Sequence, residues 1–89
     1  MNTILFYWSK GADMRVKIIK IIADCERQHD PCYINIISQK LGVSSVAIKK
    51  HVDLLIQEKY LSILNPMGKP HYLILTKEGL KILKEFGEK

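Results

Sequence analysis

The 89-residue chain is poor in several things that would each point somewhere specific. It has two cysteines, Cys25 and Cys32, too few for the disulfide frameworks that hold small secreted domains together, so an apolar core has to supply the stability. Three prolines and five glycines form no low-complexity tract and no linker long enough to divide the chain, and there is no internal repeat. Long apolar runs are missing too. The longest, ILFYW at residues 4–8, is far too short to span a bilayer or form a signal-peptide core, so a soluble, cytoplasmic chain is expected. Acidic residues are the minority, nine Asp and Glu against fourteen Lys and Arg, for a formal charge of +5. That balance favours polyanionic partners such as nucleic acid by long-range attraction, but lysines spread along the chain mark no particular site.

Catalytic patterns are also lacking. No nucleophile and base stand at a recognisable spacing, no glycine loop is built to cradle phosphate, and no carboxylate pair suits acid–base work, so no enzyme activity is expected. Cys25, His29 and Cys32 form C-x3-H-x2-C beside Asp30, a set soft enough to weigh as metal ligands. The spacing fits no structural zinc pattern, a clear fourth ligand is missing nearby, and Cys25 falls on a core face, where a thiol acts as a small hydrophobe. No metal and no cofactor are therefore expected, and His51 reads as a packing residue at the edge of an apolar face. A redox role for the Cys25 and Cys32 pair stays open at this level.

What is present is an ordinary globular composition, 47% hydrophobic and 26% charged, enough for one small core. Residues 1–12 read as an N-terminal arm or strand, and 13–89 as the domain. Asp13 is the expected N-cap of a first helix reaching about Gln28, with Met14, Ile18, Ile21, Ile22 and Cys25 on its core face. A second strip on that helix, Val16, Ile19 and Ala23, needs its own cover. A second subunit is the more economical cover in so small a chain; the arm folding back is the alternative. After His29-Asp30-Pro31, residues Cys32 to Ile34 suit an edge strand, and Asn35 suits the cap of a second helix, Ile36 to Leu41. Gly42 follows, as glycine does where a helix ends in the left-handed conformation. Val43 plugs the angle, and Ser44 or Ser45 caps a third helix to about Lys59, anchored by Ile48, Val52 and Leu55. Its opposite arc carries Val46, Lys49, Lys50, Asp53 and Gln57, with no acid before Asp53. Two strands, Leu61 to Leu64 and His71 to Leu75, flank a loop whose prolines and glycine punctuate a hairpin. Thr76 caps a closing helix that has Leu80, Leu83 and Phe86 for packing and Gly79 as an interior weakness.

The segment LGVSSVAIKKHVDLLIQEKYLS resembles the helix-turn-helix of the MarR and ArsR families of prokaryotic transcriptional regulators. HYLILTKEGLKIL is similar to their strand-to-helix ending, with its Leu-Thr-x-x-Gly signature. The resemblance covers roughly residues 13–86 and implies a winged helix-turn-helix: an α+β, mostly helical fold with a three-helix core, a small antiparallel hairpin wing and a C-terminal helix. It further implies sequence-specific binding of double-stranded DNA by a homodimer that regulates transcription. Carried onto this chain, it makes 45–58 the recognition helix, with Ser44, Ser45, Val46, Lys49 and Lys50 in the major groove. Lys69 and His71, in the wing at 65–71, would lie near the backbone or minor groove.

The dimer would be built from Leu5, Tyr7 and Trp8 of the arm, Val16, Ile19 and Ala23 of the first helix, and Leu83 and Phe86 of the closing helix. Lys59 stands where these families commonly place glycine, which implies a different end to the recognition helix. Lys69 is the wing's only obligate cation, which weakens the case for deep minor-groove insertion. Nothing in the pattern supports a small-molecule or metal effector. The competing reading, to which Leu54 and Ile56 lend weight, is a winged-helix protein-interaction module of a transcription or replication assembly.

Overall fold

Ile18-Ile19 and Ile21-Ile22 place apolar side chains on more than one side of a helix, so that helix needs cover on more than one side. It has it in the computed structural model, which describes residues 4–7 and 10–86, with Asp13, Lys17, Lys20 and Asp24 left exposed. Along the chain the elements are α1 (Ile4–Tyr7), α2 (Ala12–Arg27), α3 (Ile34–Leu41), α4 (Ser45–Gln57), β1 (Leu61–Ile63), β2 (Leu73–Leu75) and α5 (Lys77–Glu85). The architecture is α+β and mostly helical. Its two strands pair antiparallel, with Leu61 opposite Leu75 and Ile63 opposite Leu73. Helix α2 packs against α1, α3, β2 and α5, while α4 packs against α3 and β1.

This arrangement corrects the expected role of the second strip on α2. Ile19 and Ala23 are 0% and 5% exposed within the single chain, so they present nothing to a second copy. Leu83, at 8%, is likewise spent on the chain's own core. The N-terminal segment packs against α2 and is a turn of helix rather than a strand or extended arm. Its Phe6 is buried and meets the ring of Tyr60 edge-on, with centroids 4.8 Å apart. Tyr7 packs on Phe86 at 5.1 Å, and its hydroxyl donates to the Glu85 carboxylate. Trp8 and the side chain of Leu5, also expected at the interface, lie outside the described residues.

Two helix starts differ from expectation because backbone geometry and packing set them rather than a capping side chain. Helix α2 begins behind Gly11, in the left-handed conformation at φ 87°, and Asp13 instead pairs with Lys17 at 3.5 Å, one turn on. Helix α3 begins after extended Tyr33, whose ring packs against Tyr72 at 5.8 Å, so Asn35 falls inside the first turn. The expected edge strand at 32–34 shrinks to one ladder bond: the Leu73 amide donates to the Cys32 carbonyl at 2.8 Å. The next free amide of β2, that of Leu75, is taken by the Glu26 carboxylate at 2.7 Å, which ties the sheet to α2.

At the other end of the sheet, Thr76 caps α5 as expected by accepting from the Gly79 amide at 3.1 Å. That cap fixes the phase of the helix, so Gly79, Ile82 and Leu83 are buried, with Phe86 half-buried at the end of the same face. Leu80, expected to pack, is 46% exposed, and Ile82 takes its place at 3%. Gly79 is a close approach and not a weakness. A Cβ there would lie 2.4 Å from the Tyr60 carbonyl oxygen, so no other residue lets α5 dock so near the end of α4.

Candidate nucleic-acid interface

Helices α3 and α4 are joined by a tight turn whose bonds are all local. Gly42, at φ 67°, sends its amide to the Ser38 carbonyl at 2.9 Å. The Val43 amide reaches the same carbonyl at 3.2 Å, and the Ser38 hydroxyl donates back to the Val43 carbonyl. Ser44 is the cap of α4: its backbone is extended and its hydroxyl oxygen accepts from the Ala47 amide at 3.2 Å. Ser45 is therefore the first helical residue. Both serines are exposed at the end of the helix where unpaired amides and the positive end of the dipole face outward.

The spine of α4 is fixed from within, since Ile48, Val52 and Leu55 are 0%, 1% and 0% exposed. The opposite arc follows from helical spacing, and Val46, Lys49, Lys50, Asp53 and Gln57 are all exposed. Lys49 reaches Asp53 one turn on at 2.7 Å. A surface pair of this kind is worth only a few tenths of a kcal/mol, so a phosphate can displace it. Asp53 is the acid of this arc, and none occurs in the sequence from residue 31 to residue 52.

The hairpin loop lies beside α4 and is held by one residue, Asn65. The Asn65 side-chain oxygen accepts from the Tyr72 amide at 2.7 Å, its amide donates to the Pro70 carbonyl at 3.0 Å, and its own carbonyl accepts from the Gly68 amide at 2.9 Å. Lys69 and His71 are exposed. His71 and Lys49 line one cleft of about 190 Å³, together with Tyr33, Asn35, Asp53 and Pro70. Lys69 does not line it.

On the other flank of α4, Lys50 and His51 border a shallow depression of about 740 Å³ with Lys10 and Arg15, over a floor that includes Met14, Val43 and Leu54. Burial, and then the neighbouring Arg15 charge, hold the His51 imidazole below its ordinary pKa, so at neutral pH it is a hydrogen-bonding group and not a cation. Tyr33, Lys10 and Arg15 were not singled out in the sequence, and Asn35 was read only as a helix cap. Each is distant in the chain from α4, and no local pattern links them to it.

The cysteine and histidine set does not assemble. Cys25 and Cys32 are buried thiols outside any disulfide, while His29 is exposed at the end of α2 with φ 60°. Burial, followed by a hydrogen bond with Cys25, pushes the Cys32 thiol well above its ordinary range, which leaves it protonated and unreactive. Among the described residues no cluster of three or more His, Cys, Asp or Glu is placed to hold a metal ion. No helix among them is long and apolar enough to cross a membrane. No protein-family model matches the chain, and none of the curated proteins matches it.

Proposed function

We propose that the chain is a winged helix-turn-helix protein that binds double-stranded DNA as a homodimer and regulates transcription. In this reading α4 enters the major groove and the hairpin between β1 and β2 is the wing. The observation that carries it is the outward arc of α4. Ser45, Val46, Lys49 and Lys50 stand on a helix whose inner face is wholly buried, behind a turn closed by its own hydrogen bonds, with no acid before Asp53 in its first two turns. Such a helix holds its cationic side at a fixed angle, which groove reading requires.

The roles follow from side-chain chemistry. Lys49, Lys50, Lys69 and the first amides of α4 contact phosphate and set the register. Ser45, Val46 and the two α4 lysines meet base edges, and the 68% exposed Val46 suits a thymine methyl. Because His71 and Lys49 border the same cleft, the base of the wing and the recognition helix act on one stretch of DNA.

The test is binding to mixed-sequence duplex across a salt series. Neutralised phosphates release counterions, so affinity has to fall steeply with salt. Lys49→Ala with Lys50→Ala should weaken binding and lower the slope of log K against log salt by about two per subunit. Unchanged affinity and slope would remove α4 from the interface. The exposed apolar residues Val46, Leu64 and Met67 favour a second reading, a protein-docking module, and weak salt-insensitive retention of DNA would support it instead.

A further inference from the structure

The most exposed large apolar side chain among the described residues is Met67, at 97%. A lone surface hydrophobe usually means little. Here its position gives it meaning. Met67 stands in the hairpin loop between Pro66 and Gly68, and the three Asn65 bonds, together with the Leu64 amide donating to the Tyr72 carbonyl at 2.8 Å, pin that loop on both sides. The side chain is held away from the body with nothing of its own to pack on. Leu64, at 63% exposed, adds a second apolar side chain to the same hairpin. No acid occurs from residue 59 to residue 77, while Lys69 and His71 supply cationic and hydrogen-bonding groups within four residues of Met67. An apolar tip carried by an acid-free, braced loop is matched to a polyanion with an apolar interior.

We infer that Met67 is a wedge that enters the duplex between two base pairs beside the α4 contact and bends the DNA. The inference rests on the DNA-binding reading above and extends it to a second, shape-based source of specificity. Unbranched thioether side chains fit irregular apolar gaps, and apolar wedges from minor-groove elements partly unstack a base step and kink the duplex. Lys69, the wing's one obligate cation, holds only the flanking phosphate, so the insertion rests on the apolar contact of Met67 and not on charge. Unstacking is easiest at pyrimidine–purine steps, so the protein prefers TA or CA/TG at a fixed offset from the bases read by α4.

The experiment uses the full chain with a duplex selected by the protein from random DNA and labelled at both ends with an energy-transfer pair. Wild type and Met67→Leu should shorten the end-to-end distance on binding. Met67→Ala should leave the duplex nearly straight and bind about tenfold more weakly, with the salt slope unchanged because no phosphate contact is lost. Placing a stiff A-tract at the wedge step should reproduce the loss with wild-type protein. The loop position is solvent-exposed, so all three proteins should melt together. Equal bending by Met67→Ala, or a straight duplex under bound wild type, overturns the wedge while leaving DNA binding intact. Absence of any duplex binding overturns both readings.

Discussion

Lys59 has a φ of 73°, in the left-handed region that costs a residue with a Cβ about 1–2 kcal/mol. The surroundings impose it. Its amide donates to the Ile56 carbonyl at 3.0 Å, the Tyr60 amide closes back on Leu55 at 2.9 Å, and the Thr76 hydroxyl donates to its carbonyl at 2.6 Å. A lysine in the usual place of glycine implied a different end to α4; the helix ends as a glycine would end it, under strain. Lys59→Gly should therefore raise stability by about 0.5–1 kcal/mol, the relief of strain being offset in part by the greater freedom of glycine in the unfolded chain. Urea unfolding measures it, and a destabilised variant would show that Lys59 holds contacts outweighing its strain. Single residues were legible in the sequence where their role is local. Ser44 and Thr76 cap because the oxygen and its amide are three residues apart. Gly79 was misread because what constrains it is the Tyr60 carbonyl, nineteen positions away in the chain and close only after folding.

At the scale of elements, α4 is the part that sequence periodicity described best, since its buried and exposed sets both follow from one 3.6-residue repeat. The phase of α5 was set by its cap and not by its leucines, so Leu80 was misplaced while Leu83 and Phe86 were not. The single turn of α1 was invisible, because four residues carry no periodicity and its structure depends on Phe6 finding Tyr60 and Phe86. The flanks of the candidate interface were invisible for the same reason: Tyr33, Asn35 and Lys10 come to α4 by folding. An element-scale expectation concerns the start of α4. Ser44→Ala removes the acceptor of the Ala47 amide and should lower stability by about 1 kcal/mol. It should also weaken duplex binding more than that loss of folded protein explains if, as proposed, the first turn of α4 holds phosphate. Thermal melting and the salt-series titration separate the two effects. Equal affinity in the folded population would mean the first turn does not meet DNA.

The whole molecule measures 32 × 25 × 22 Å, with a radius of gyration of 11.9 Å, close to the roughly 12 Å of a well-packed chain this long. Two such bodies set end to end along the 32 Å axis about a dyad have their centres about that far apart, which is near the roughly 34 Å between successive major-groove faces of a duplex. With Ile19, Ala23 and Leu83 withdrawn into the core, the apolar side chains of α1, α2 and α5 still open to a partner include Tyr7, 40% exposed, Leu80, 46% exposed, and half-buried Val16 and Phe86. A standard interface removes about 800 Å² from each partner, a modest part of the chain's 5836 Å². Sedimentation at micromolar concentration should accordingly give twice 10.3 kDa. Leu80→Asp alters an exposed position and should give a folded monomer that still binds DNA, but more weakly and with no preference for paired half-sites. A wild-type monomer at that concentration removes the homodimer, and a Leu80→Asp dimer moves the interface off α5. Ile19 and Ala23 are buried within the single chain, so dissociation by Leu80→Asp uncovers neither and should not be accompanied by unfolding.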